Sequence, residues 1–126
     1  MPDITLTIPA HPEYLHLLRV VAAAGAARRG FSLDDIDDLR IAVTEGAAYL
    51  VDLRPGAGKI VLRVFSSPDA LEAVLCTDAH PAEWPPPRAE KTLAWKVMAG
   101  LTDESVFFLY EDVFPAFRLL KRLRRE

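Results

Sequence analysis

Apolar and polar positions change their period several times along this chain, and each change marks an element. Ile4, Leu6 and Ile8 alternate with Thr5 and Thr7 until Pro9, which predicts a half-buried opening strand. Pro12 then sits where a helix can begin, and apolar residues dominate positions 13–29 at helical spacing. Within that segment Glu13, His16, Arg19 or Val20, Ala23 and Ala27 share one stripe. A surface helix normally carries a broad charged face, whereas this stripe is narrow and mostly alanine. Such a helix is expected to be covered twice, by its own core and by a partner, or to be a well-buried internal helix.

Gly30 predicts a helix stop, and Ser32 an N-cap that Asp35 completes as a capping box. The next helix buries Ile36, Leu39, Val43, Ala47 and Leu50. Asp34, Asp35, Asp37 and Asp38 crowd its first turns, where the helix dipole favours carboxylates, so they read as a helix start and not as a metal site. A neighbouring stripe, Asp38, Ala42, Glu45, Tyr49 and Asp52, holds the only mid-helix carboxylate, Glu45. Residues 54–58 predict a turn, 60–65 and 71–77 an antiparallel hairpin, and the proline-rich stretch 78–90 irregular chain. A third helix is expected over 91–101, and strands over 105–110 and 113–120. The order β-α-α-β-β-loop-α-β-β predicts an α+β two-layer sandwich, with three helices on one face of a mixed, mostly antiparallel five-stranded sheet.

Length and composition narrow the picture. The 126 residues suit one domain spanning 1–126, and 51% apolar against 26% charged residues is enough to build a core. No apolar run approaches the roughly 18 residues that cross a bilayer, so a soluble, cytoplasmic chain without membrane association is expected. A net charge of −3 argues against direct nucleic-acid binding. The basic run Lys121, Arg122, Arg124 and Arg125 reads as a solvated end. Cys76 lies in a strand pattern as a small core hydrophobe, and Cys76 with His80 is too sparse a set for a metal site. Trp84, in the proline-rich stretch, is either a partner anchor or the cap of a vacant pocket.

Three stretches together resemble the anti-sigma-factor and serine-protein-kinase branch of the histidine-kinase-like (GHKL) ATPases, whose fold is of the Bergerat type. They are Ile4 to Ala10 with Pro12 to Leu15, Leu39 to Glu45, and Leu101 to Glu104 with Arg118 to Leu123. The resemblance implies that Glu45 stands at the catalytic glutamate, Tyr49 at an asparagine that serves magnesium, and Asp78 at the aspartate that reads adenine. It also shows where the chain departs from the pattern. Tyr49 is a poor magnesium donor, the glycines expected after Asp78 are absent from Asp78-Ala79-His80-Pro81-Ala82, and Ala89-Glu90-Lys91-Thr92-Leu93 has no glycine to cradle phosphate. Weak or absent binding of ATP and magnesium is therefore expected, with Glu45 and Asp78 vestigial: Glu45 paired with Arg40 or Arg54, and Asp78 a turn former.

What the resemblance leaves is a protein-binding role. It implies a homodimer that sequesters a stress or sporulation type sigma factor and is released by an anti-sigma-factor antagonist, through a surface that includes Glu13, His16, Arg19 and Ala23. The alternative it implies is a working serine kinase that phosphorylates its antagonist, with Glu45 as base and Asp78 reading adenine.

Overall fold

The computed structural model describes residues 1–53 and 58–124, so the turn expected over 54–58 lies outside the described residues except for Gly58, and Arg54 and Arg125 lie outside as well. The strands are β1 (Ile4–Pro9), β2 (Lys59–Ser66), β3 (Ala70–Thr77), β4 (Glu104–Tyr110) and β5 (Phe114–Arg122), and the helices α1 (Leu15–Arg28), α2 (Leu33–Leu53) and α3 (Leu93–Leu101). They form an α+β sandwich around an open sheet of order β1-β2-β3-β5-β4. All four pairings are antiparallel, so the sheet expected to be mixed is uniform in direction.

The alternation seen in the sequence sets the inner face. Ile8 on β1, Ile60 and Leu62 on β2, Leu75 on β3 and Phe117 and Leu119 on β5 are buried in one cluster with Leu18 and Ala22 of α1 and Leu39, Val43 and Leu50 of α2. The other face is closed by long side chains. Arg63 lies 4.3 Å from the centroid of the Tyr110 ring and donates to Cys76 Sγ at 3.2 Å, while Arg118 pairs with Glu72 at 3.0 Å and Glu104 at 3.5 Å. Their stems shield Val74 and Cys76, both nearly inaccessible although none of the helices among the described residues lies on that side.

Local signals fall close to where they were expected, with informative differences. Gly30 ends the first helical segment at φ 84°, and the Asp35 N–H donates to Ser32 Oγ at 3.2 Å. The reciprocal half of that capping box is absent, because the Asp35 carboxylate faces Lys121 Nζ at 3.5 Å. The third helix starts two residues later than expected, since Thr92 Oγ1 caps it by accepting from the Trp95 N–H at 3.2 Å. The first helix also starts later. Pro12 opens a 3-10 turn, Pro12–Tyr14, and α1 begins only at Leu15, which takes Glu13 off the helix proper. Among the described residues no helix is long and apolar enough to cross a membrane.

One expectation is corrected in part. Arg122 and Arg124 of the C-terminal basic run are exposed, as a solvated end implies, but Lys121 is only 5% exposed, and its ammonium donates to the Leu101 carbonyl at 2.8 Å and Asp38 at 3.3 Å. Arg122 pairs with Glu104 and Arg124 with Asp103. Lys121 thus joins the end of β5 to the acidic start of α2 through Asp35 and Asp38.

Candidate functional site

Helices α1 and α2 pack side by side and leave a groove of about 280 Å³ between them, lined by Arg19 from α1 and by Arg40, Ile41, Thr44 and Glu45 from α2. Spacing explains its α2 wall. Ile41 and Glu45 stand one turn apart on the same flank, while Leu39 and Val43 turn into the core. The Thr44 hydroxyl donates back to the Arg40 carbonyl at 2.7 Å, and the Arg40 guanidinium is held by Asp37 at 2.8 Å. Glu45 therefore lacks the expected Arg40 partner. Among the described residues neither the Arg19 nor the Glu45 side chain makes a salt bridge or hydrogen bond, which leaves a cation and an anion without partners there, both lining the same groove.

The rim is apolar. Val20 is 61% exposed and Leu17 39%, and together with the exposed Ala24 and Ala27 they give α1 an outer ridge with little charge, while Ile41 of α2 is 43% exposed. The expected stripe is recovered in part: His16, Arg19, Val20 and Ala27 face outward, but Ala23 is half-buried, and Glu13 sits on the preceding turn, where its carbonyl meets His16 Nδ1 at 3.0 Å. Arg40, Ile41 and Thr44 were missed. The available signal was Ile41, an apolar residue lying off the core stripe of an otherwise well-patterned helix.

Tyr49 and Asp78 do not line this groove. The Tyr49 ring meets Phe117 edge-on at 5.6 Å and Trp84 at 6.1 Å, and its burial pushes the phenol above its ordinary pKa, so the group stays neutral. Trp84 reaches in from the proline-rich stretch. It lies 5.5 Å from Phe107 and 5.6 Å from Phe117, and its Nε1–H donates to the Phe108 carbonyl at 2.8 Å. Trp95 of α3 stacks on Phe107 at 4.2 Å and completes the aromatic group. Asp78 is occupied by the backbone: its Oδ1 accepts from the Lys59 N–H at 2.8 Å, and a Cβ added at Gly58 would stand 2.3 Å from it. Among the described residues no group of three or more His, Cys, Asp and Glu side chains is placed to share a metal ion.

An open, all-antiparallel five-stranded sheet backed by three helices is an α+β arrangement consistent with the histidine-kinase-like fold that the sequence resembles. Sequence comparison agrees. The chain is 35% identical over 75 residues to the serine-protein kinase RsbW of Bacillus velezensis, 57% of this chain and 47% of that protein. Against the RsbW of Bacillus licheniformis it is 37% identical over 78 residues, and against that of Bacillus subtilis 32% over 81 residues, or 60% of this chain and 49% of that one. The chain spans about half the length of these relatives. No family model matches it.

Proposed function

We propose that this chain is an anti-sigma factor that holds an alternative sigma factor of the stress or sporulation type and gives it up to an anti-sigma-factor antagonist, without transferring phosphate. The observation that carries this reading is Arg19, a guanidinium unpaired among the described residues, on the under-polar ridge of α1 next to exposed Val20 and lining the α1–α2 groove. A planar guanidinium can hold a carboxylate bidentately, and an apolar surround that excludes water strengthens that contact. His16 and Ala23 extend the same surface, with Glu13 at its edge. In this reading the working unit is a cytoplasmic homodimer, which light scattering on the isolated chain tests.

Nucleotide independence is supported by fit. Magnesium needs hard oxygen donors in octahedral array, and position 49 offers a neutral phenol held edge-on by two other rings. Asp78, the position that the resemblance assigns to adenine, already commits its Oδ1 to the Lys59 N–H. Position 49 does not fit the magnesium of a nucleotide.

Titration of the purified chain with such a sigma factor should give the same affinity with and without ATP and magnesium; strict dependence on ATP would refute the proposal. Arg19→Ala should weaken the complex by about 2 kcal/mol, roughly thirtyfold, with the melting temperature unchanged. A second reading is favoured by the Glu45 carboxylate, free among the described residues, and by the name of the relatives: a serine-protein kinase acting on the antagonist. Radiolabel transfer from ATP to the antagonist, abolished by Glu45→Ala, would establish it.

A further inference from the structure

Trp84 is the one large side chain that the proline-rich stretch commits to the interior. Its neighbours are Tyr49 from α2, Phe107 from β4 and Phe117 from β5, three rings from three elements at 5.5 to 6.1 Å, all edge-on. Edge-to-face contacts of this kind position a ring as well as bury it. The single polar atom of the indole is satisfied by the Phe108 carbonyl at 2.8 Å. A planar bicyclic ring with one N–H donor thus sits in an aromatic cage with one acceptor aimed at it. That is the complement of a heteroaromatic bicycle, and the chain fills it from within.

We infer that Trp84 is a built-in occupant: the space bounded by α2 and the β4–β5 hairpin is a bicyclic-ring cleft, kept closed to free heteroaromatic ligands by the indole of the same chain. This deepens the nucleotide-independent reading above and rests on it, because Tyr49, the position at which that reading finds magnesium unsupported, is one wall of the cleft. The loop needs no nucleotide to order it, because Trp84 supplies the ring.

Chemical rescue tests the inference on the full chain, with indole and adenosine as probes. Trp84→Ala should melt below wild type; millimolar indole should restore at least about half of the lost melting temperature, as a ligand that binds only the folded state must, and leave wild type unmoved. Adenosine should bind the variant at least about tenfold more tightly than wild type. A folded variant that ignores both probes overturns the inference. If Trp84→Ala does not fold, Trp95→Phe leaves Trp84 as the only indole, and acrylamide quenching decides. Quenching several-fold below that of free tryptophan and unchanged by millimolar magnesium ATP supports the occupant, whereas quenching like free tryptophan, or a rise on adding the nucleotide, overturns it. Failure here is separable from failure of the proposed function: a chain that ignores sigma factors while its variant takes up indole refutes only the function, and a chain that binds sigma factor while its folded variant refuses indole refutes only the occupant.

Discussion

Lys121 shows how far a single residue's role depends on chain that is distant in sequence. Its ammonium sits between Asp35 and Asp38, 83 positions from the latter, at a site where its side chain is 6% exposed. Removing one partner of a buried ionic group leaves the other unpaired, so Lys121→Ala is expected to cost about 3 kcal/mol, measured by urea denaturation; a loss below about 0.5 kcal/mol would show that the acids are satisfied by water. Lys121→Met keeps the stem and should cost less. Next to this cluster, Asp103 feels burial that would raise its pKa, yet the Arg122 N–H, Arg124 and Lys121 outweigh it and hold the carboxyl below its ordinary 3.8. A depressed folded-state pKa contributes stability that is fully present above the unfolded value and is lost as pH falls through the folded one. Stability should therefore drop below about pH 4, and Asp103→Asn should flatten that part of the curve, which thermal melts across the acid range check. None of this was legible locally. Lys121, Arg122, Arg124 and Arg125 read as a solvated end because the acids that hold Lys121 belong to another element.

At the scale of elements the sequence was most legible where one face is buried and the other is not. The two-residue period of β1 and the apolar stripe of α2 placed both elements almost to their ends, because burial of every second or every third-to-fourth residue leaves no other register. Ends governed by capping were less legible. Pro12 favours a 3-10 turn before α1, and Thr92 is a better cap than Lys91, so both helices begin two residues inside the apolar pattern that suggested them. The helix-free face was not legible at all, since arginines on strands read as solvent-facing. Here Arg118 stitches β3, β5 and β4 together through Glu72 and Glu104. A double-mutant cycle on Glu72→Ala and Arg118→Ala should give a coupling of about 1 kcal/mol, reduced in molar salt because the pair is partly exposed. Zero coupling at low salt would mean that Arg118 acts only by covering Val74.

The order of strands is a property of the whole molecule, and it was not readable in advance because a hairpin's inner and outer strands have similar patterns. Placing β5 beside β3 and β4 at the edge makes the last strand central, so the inner layer closes only when residues 114–122 insert between segments that come earlier in the chain. The groove and the aromatic cage inherit different stability from this arrangement. The groove lies between α1 and α2, where Leu18, Ala22, Leu39 and Val43 are buried to within 1%. The cage depends on Phe107 of the edge strand β4 and on a loop anchored inward by Trp84. Opening that exposes few apolar contacts costs less than global unfolding, so amides of β2, β3 and β5 should exchange only through complete unfolding, and those of β4 and the stretch 78–88 earlier. Trp84→Phe keeps a ring but loses the bond to the Phe108 carbonyl. Hydrogen exchange on that variant should speed up over β4 and residues 78–88 by roughly tenfold, the factor set by about 1.4 kcal/mol of lost local stability, while α1 and α2 exchange as before. Uniform acceleration across the chain would instead mean that the cage is part of the global cooperative unit and that α1 and α2 cannot be altered independently of it.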